Sequence, residues 1–207
     1  MRGLAVLFCV VLIVMAFLTN NALASSPSFA HKLDVQVRYD NRSNRPSREQ
    51  YRLRYYPSFS FSETWSLNSF VVTGDDFSSS HNTFGGDTVD HLYARRLYLR
   101  HQDNSGKTEF GIIPTYKGRV SSTGLSKDGW IAGIRHVRSL KNNSALEVVL
   151  GQLGDPQASE AFNIGDEDEY IEIEYSARMG ERHSYEVSVE RILQGSFLRT
   201  EYRVSPK

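Results

Sequence analysis

An all-β fold, built as a single antiparallel up-and-down transmembrane β-barrel of about ten strands, is what the sequence predicts on three observations. Apolar and charged residues alternate one for one along segment after segment from residue 31 onward. Tight turn-forming stretches and longer polar connections separate those segments roughly in alternation. Aromatic residues sit at segment ends on the apolar side, at Tyr39, Tyr51, Phe59, Phe61, Tyr116, Trp130, Tyr175, Tyr185 and Tyr202.

The first 24 residues stand apart. Met1-Arg2 leads into an apolar run from Leu4 to Leu18, and the run closes on Ala22-Leu23-Ala24. A positive start, an apolar centre and a small-residue end make up a secretory signal peptide, so cleavage is expected after Ala24. The run is short for the ~20 residues of a membrane-spanning helix. Residues 25–207 are left as one barrel domain. Cys9 lies inside the run, so the processed chain has no thiol and no disulfide to rest on.

The strands follow in order. In Leu33-Asp34-Val35-Gln36-Val37-Arg38-Tyr39-Asp40 the odd positions are apolar and the even ones polar, which gives a strand one greasy and one charged face. Tyr51-Arg52-Leu53-Arg54-Tyr55 repeats the design, continuing through Pro57, Phe59 and Phe61. Less regular candidates are Thr64–Thr73, His91–His101, Thr108–Val120, Trp130–Val137 and Ala145–Leu153. Clean alternation returns in Tyr170–Tyr175, Tyr185–Glu190 and Leu198–Val204. Asp103–Gly106, Lys141–Asn143, Met179–Glu181 and Gln194–Ser196 have the composition of tight hairpins. Longer polar loops are expected at Asn41–Ser47, Gly74–Asp90, Ser121–Gly129 and Gly154–Asp168.

A soluble sandwich alternates too, with its polar face in water. Strands of about nine to eleven residues, the aromatic ends and the export signal favour a barrel in lipid, where closure leaves no unpaired edge. Lys and Arg total 24 and Asp and Glu total 24, so no basic stripe marks a nucleic-acid surface. No Cys or His cluster has metal-ligand spacing, and no cofactor is expected. The expected location is the cell outer membrane. Expected partners are its lipid and lipopolysaccharide, with a small polar or sugar solute inside.

Between residues 92 and 137 three stretches stand in sequence: Ala94-Arg95-Arg96-Leu97-Tyr98-Leu99, then Phe110-Gly111-Ile112-Ile113-Pro114-Thr115-Tyr116-Lys117-Gly118-Arg119, then Trp130-Ile131-Ala132-Gly133-Ile134-Arg135. Together they resemble outer-membrane porins of the oligosaccharide-specific and alginate-export kind. The resemblance covers about a quarter of the chain and implies a porin-like barrel.

The lumen-facing candidates are Arg96, Arg100, Glu109, Lys117, Arg119, Arg135, Glu172, Glu174, Arg199 and Glu201. Near-equal numbers of the two signs suit an enclosed face, where an unpaired charge is costly. Lys117 and Arg119 with Arg96, Arg100 and Arg135 form the best candidate for a basic cluster, opposed by Glu109. The expected role is a porin-like or export-associated channel, such as one for carbohydrate or other small polar solutes; the alternative is a non-conducting barrel that serves envelope or polysaccharide machinery.

An outer-membrane hydrolase is a third. Its candidate groups are Asp75-Asp76 with His81, and Asp87 and Asp90 with His91, while Asp166–Glu169 offers oxygens to a cation. Such residues in a Gly- and Ser-rich loop are ordinarily solvated, and His183-Ser184 point to opposite faces of a strand. No enzyme is expected.

Overall fold

The computed structural model describes residues 27–74, 82–84, 92–113, 131–154, 157–163, 169–192 and 194–205. The expected signal peptide, Lys117, Arg119, Tyr116, Trp130 and all the loop acids and histidines named above except Glu169 lie outside these residues.

Eleven strands form one antiparallel sheet: β1 (Ser28–Arg42), β2 (Arg45–Ser60), β3 (Trp65–Thr73), β4 (Asn82–Thr83), β5 (Leu92–Asp103), β6 (Gly106–Ile113), β7 (Ile131–Ser139), β8 (Ser144–Leu153), β9 (Tyr170–Met179), β10 (His183–Ile192) and β11 (Gly195–Val204). Ten of them follow chain order across the sheet, each beside its sequence neighbour, while β4 pairs with β2 off that path. The only helical piece among the described residues is a 3-10 turn at Ala158–Glu160.

The expected closure is not made. The sheet order begins at β1 and ends at β11, which leaves one edge of each without a strand partner. The first hairpin also differs from expectation. The polar stretch Asn41–Ser47 predicts a loop, yet β1 and β2 run on to Arg42 and Arg45 around a two-residue turn. Polar residues on both faces hid the strand there, because alternation marks only a strand with one apolar face.

Successive connections lie at opposite ends of the sheet. At one end are the short turns at 61–64, 104–105, 140–143 and 180–182, beside the start of β1 and the end of β11. At the other end lie the tight turn at 43–44, the ends of β3, β6, β8 and β10, and the starts of β5, β7, β9 and β11, where the longer stretches 74–91, 114–130 and 154–169 leave and rejoin the sheet. We refer to these as the turn end and the loop end. Asn142 and Asn143 both take positive φ in the β7–β8 turn, a conformation that asparagine tolerates better than most residues.

Pairing of β2 with β3 runs through Arg54–Val72 and Tyr55–Val71 and resumes at Ser58–Asn68. Pro57, with no N–H to donate, sits in the gap. A bulge between Phe70 and Val71 lets β5 slip by one residue against β3.

Burial is inverted relative to a water-soluble sheet. Aliphatic residues stand exposed on one face, with Val37 at 74%, Leu198 at 72% and Val189 at 57%. On the other face the Glu109 and Glu172 carboxylates are at 0%. That sheltered face also holds a small apolar cluster of Tyr98, Ile113, Ile131, Val149 and Tyr170, to which Leu153 and Ile192 pack.

Candidate functional site

The sheltered polar face is built by register. Arg100 on β5 pairs with Glu109 on β6, Glu109 with Arg135 on β7, and Arg135 with Val149 on β8. Directly paired residues point to the same side of a sheet, so one row delivers three charges to one place. Glu109 accepts from Arg100 Nε at 2.9 Å and from Arg135 Nη1 at 3.2 Å. Arg135 turns its other edge to Glu147 on β8, donating through Nε at 2.7 Å and Nη2 at 2.8 Å. This fork geometry is the strong form of the guanidinium–carboxylate bond. Lys107 completes the cluster, 3.7 Å from Glu109.

A second cluster lies across β9, β10 and β11. Arg199 on β11 reaches Glu174 at 2.9 Å, Glu190 at 3.1 Å and Glu172 at 3.5 Å. To meet Glu172 and Glu174 it passes over β10, along the row Arg199, Ser188 and Glu174 that the register sets. The Tyr170 hydroxyl donates to Glu172 at 2.7 Å, and the Ser188 hydroxyl donates to Glu190 at 3.1 Å.

On β1, β2, β3 and β5 the same face carries a stack instead. Lys32 sits 5.9 Å over the Tyr56 ring, Tyr56 stacks on Phe70 at 4.6 Å, and Arg96 sits 5.3 Å over Phe70. Two cations thus cap the outer faces of two parallel rings, where the ring quadrupole is negative.

On the loop side of the first ion cluster, on β6, β7 and β8, runs a row of glycines. Gly111 pairs with Gly133, and Gly133 with Gly151. Tyr98 and Tyr170 flank the row, opposite Gly111 and Gly151. A Cβ on Gly133 would stand 2.1 Å from the Leu150 carbonyl oxygen, so the backbones pass closer here than a side chain permits.

At the turn end the face opens into a cavity of about 590 Å³. Its walls include Ser58, Ser60, Ser66, Asn68 and Trp65, together with Arg100 of the first ion cluster.

Of the lumen-facing candidates, Arg96, Arg100, Glu109, Arg135, Glu172, Glu174, Arg199 and Glu201 share this face by register. Lys117 and Arg119 fall outside the described residues. Arg100 and Arg135 do come together, with Glu109 between them, while Lys107 adds a third basic group and Glu147 a second carboxylate on the far side of Arg135. Glu147 escaped the sequence reading because Leu146-Glu147-Val148-Val149-Leu150 shows no clean alternation to assign its face. No signal in the sequence marks Tyr98 and Tyr170 as parts of the site beyond their sharing strand parity with Arg100 and with Glu172. Among the described residues no group of three or more His, Cys, Asp or Glu side chains is arranged to hold a metal ion.

No protein-family model matches the chain, and none of the curated proteins matches it.

Proposed function

We propose that the chain is an outer-membrane β-barrel that turns its aliphatic face to lipid and encloses its charged face, and that it acts as a non-conducting barrel. The carrying observation is the inverted burial: Glu109 and Glu172 at 0% exposure behind a surface of exposed Val, Leu and Ile. In water such an arrangement exposes aliphatic surface at roughly 25 cal/mol per Å² while it desolvates carboxylates. In a bilayer the first cost vanishes.

The long connections at one end and the short turns at the other match the loop asymmetry of such barrels. An even number of strands along the path puts the start of β1 and the end of β11 on the turn side. Closure would join β11 to β1, removing the two free edges that lipid would not tolerate.

The non-conducting role rests on the interior. A barrel of this strand number is narrow and filled by side chains. Here two ion clusters and the apolar cluster between Tyr98 and Tyr170 occupy that space. The chain would then act through its loop end, as an accessory of envelope machinery. The serine-lined cavity at the turn end favours a second reading, a porin-like channel for small polar solutes whose constriction is the Arg100–Glu109–Arg135 row.

Single-channel recording of the refolded protein in planar bilayers separates the two. A silent barrel whose insertion is shown by protease protection fits the first. Discrete conductance steps that enlarge in Arg135→Ala overturn it and establish the second.

A further inference from the structure

We propose that the tip of the β1–β2 hairpin is a binding site for phosphate groups, such as those of phosphorylated lipid headgroups; this rests on the membrane reading above. The β1 and β2 strands have 15 and 16 residues, whereas the other strands of the path have 8 to 12. At ~3.3 Å per residue they outrun an apolar band ~25 Å tall, so their far ends stand at or beyond the headgroups. Those ends lie on the loop side.

Four arginines crowd that tip. Arg42 and Arg45 pair directly across the two strands, an arrangement of like charges that destabilises a hairpin unless something neutralises it. The Asp40 carboxylate accepts from Arg42 Nε at 2.9 Å and from Arg48 Nη2 at 3.0 Å, with Arg38 at 3.9 Å. Asp40 is nearly covered while the three guanidiniums remain about half exposed, so their outward N–H groups stay available. Arg45 has no ion pair among the described residues. From residue 38 to residue 48 the chain carries four arginines and one carboxylate.

The tip is also braced. β4 pairs with Gln50 and Tyr51, the Phe84 N–H donates to the Glu49 carbonyl at 2.9 Å, and the Phe84 ring packs on Tyr51 at 4.6 Å. Guanidiniums held around the Asp40 carboxylate, with their outer sides exposed, suit a phosphate, which offers several oxygens to planar N–H forks. A compact monocarboxylate satisfies fewer of them.

The test uses the full processed chain refolded in detergent and checked for heat-modifiable mobility. Binding is measured in three arms: inorganic phosphate, mixed micelles holding a bisphosphorylated glucosamine glycolipid, and the same glycolipid after phosphate removal. Wild-type protein is expected to bind the phosphorylated glycolipid at least tenfold more tightly than the dephosphorylated one. Arg42→Gln with Arg45→Gln is expected to abolish that difference, while Arg203→Gln at the turn end leaves it intact. Saturable, Arg42- and Arg45-dependent binding of inorganic phosphate alone supports a phosphate site filled from solution.

A folded double variant that binds the glycolipid as wild type does overturns the proposal and leaves the membrane reading standing. A chain that stays soluble without detergent and still binds phosphate through Arg42 and Arg45 sinks the membrane reading alone.

Discussion

Glu109 on β6 and Arg135 on β7 face each other across one ladder pair and meet at 3.2 Å, both buried within the charged face. Around this contact Arg100 and Glu147 extend the chain of opposite charges over four adjacent strands. Removing one member leaves its partners buried and uncompensated. Glu109→Gln is therefore expected to destabilise the folded protein by about 3–5 kcal/mol, read from urea unfolding in lipid vesicles. Glu201→Gln, whose ion pair among the described residues is with the more exposed Arg203, should cost under about 1 kcal/mol. Equal losses in the two variants would remove the ion row from any structural role.

The glycine row permits a close backbone approach that no other residue allows. Gly133→Ala places a methyl group against the Leu150 carbonyl and the Gly151 Cα. A loss of about 1–3 kcal/mol is expected in the same unfolding assay, from the backbone shift that overpacking forces. Unchanged stability would mean that the strands do not pass as closely as described.

At the turn end, the Asp103 carboxyl is held below the usual carboxylate value of 3.8, first by the Ser105 hydroxyl and then by the Ser105 and Gly106 N–H groups, against a smaller opposing effect of burial. The folded value thus lies below the unfolded one. The support it gives the β5–β6 hairpin is fully present above the unfolded value and is lost as pH falls through the folded one. NMR titration of the Ser105 amide should show its inflection below 3.8, and Asp103→Asn should erase it. An inflection at or above that value contradicts the hydrogen bonds.

Closure would set β11 antiparallel to β1 with the two charged faces in phase. One in-phase register places Arg199 beside Asp40 and Glu201 beside Arg38; sliding two residues puts Arg199 against Arg38 instead. Opposite charges across a ladder stabilise it and like charges do not. In the favoured register Tyr202 lies opposite Val37, so Tyr202→Cys with Val37→Cys should cross-link in the membrane, and more readily than Tyr202→Cys with Val35→Cys. Absence of any β1–β11 cross-link in an inserted protein would mean that these edges meet other partners.

Much of this architecture was legible in the sequence. Alternation in Leu33–Asp40, Tyr170–Tyr175 and Leu198–Val204 placed those strands and assigned their faces, because a strand with one apolar side writes its period directly into the chain. The hairpin extension through Asn41 and Ser47 was not legible, since it is polar on both sides. Neither was Glu147, embedded in an aliphatic run. The Lys32–Tyr56–Phe70–Arg96 stack joins four strands by register, and register depends on the turn lengths and the bulge at Phe70 rather than on local pattern.

The central claim is that the exposed aliphatic face meets hydrocarbon, and depth-resolved quenching tests it most directly. Trp65 and Trp130 are replaced by Phe, and single tryptophans are introduced at Val187, Ser188 and Val189 on β10. Each variant is then refolded into vesicles of lipid brominated on its acyl chains. Strong quenching at 187 and 189 with little at 188 is the predicted result. Uniform fluorescence at all three positions, from a chain that remains in the aqueous phase, would contradict the account.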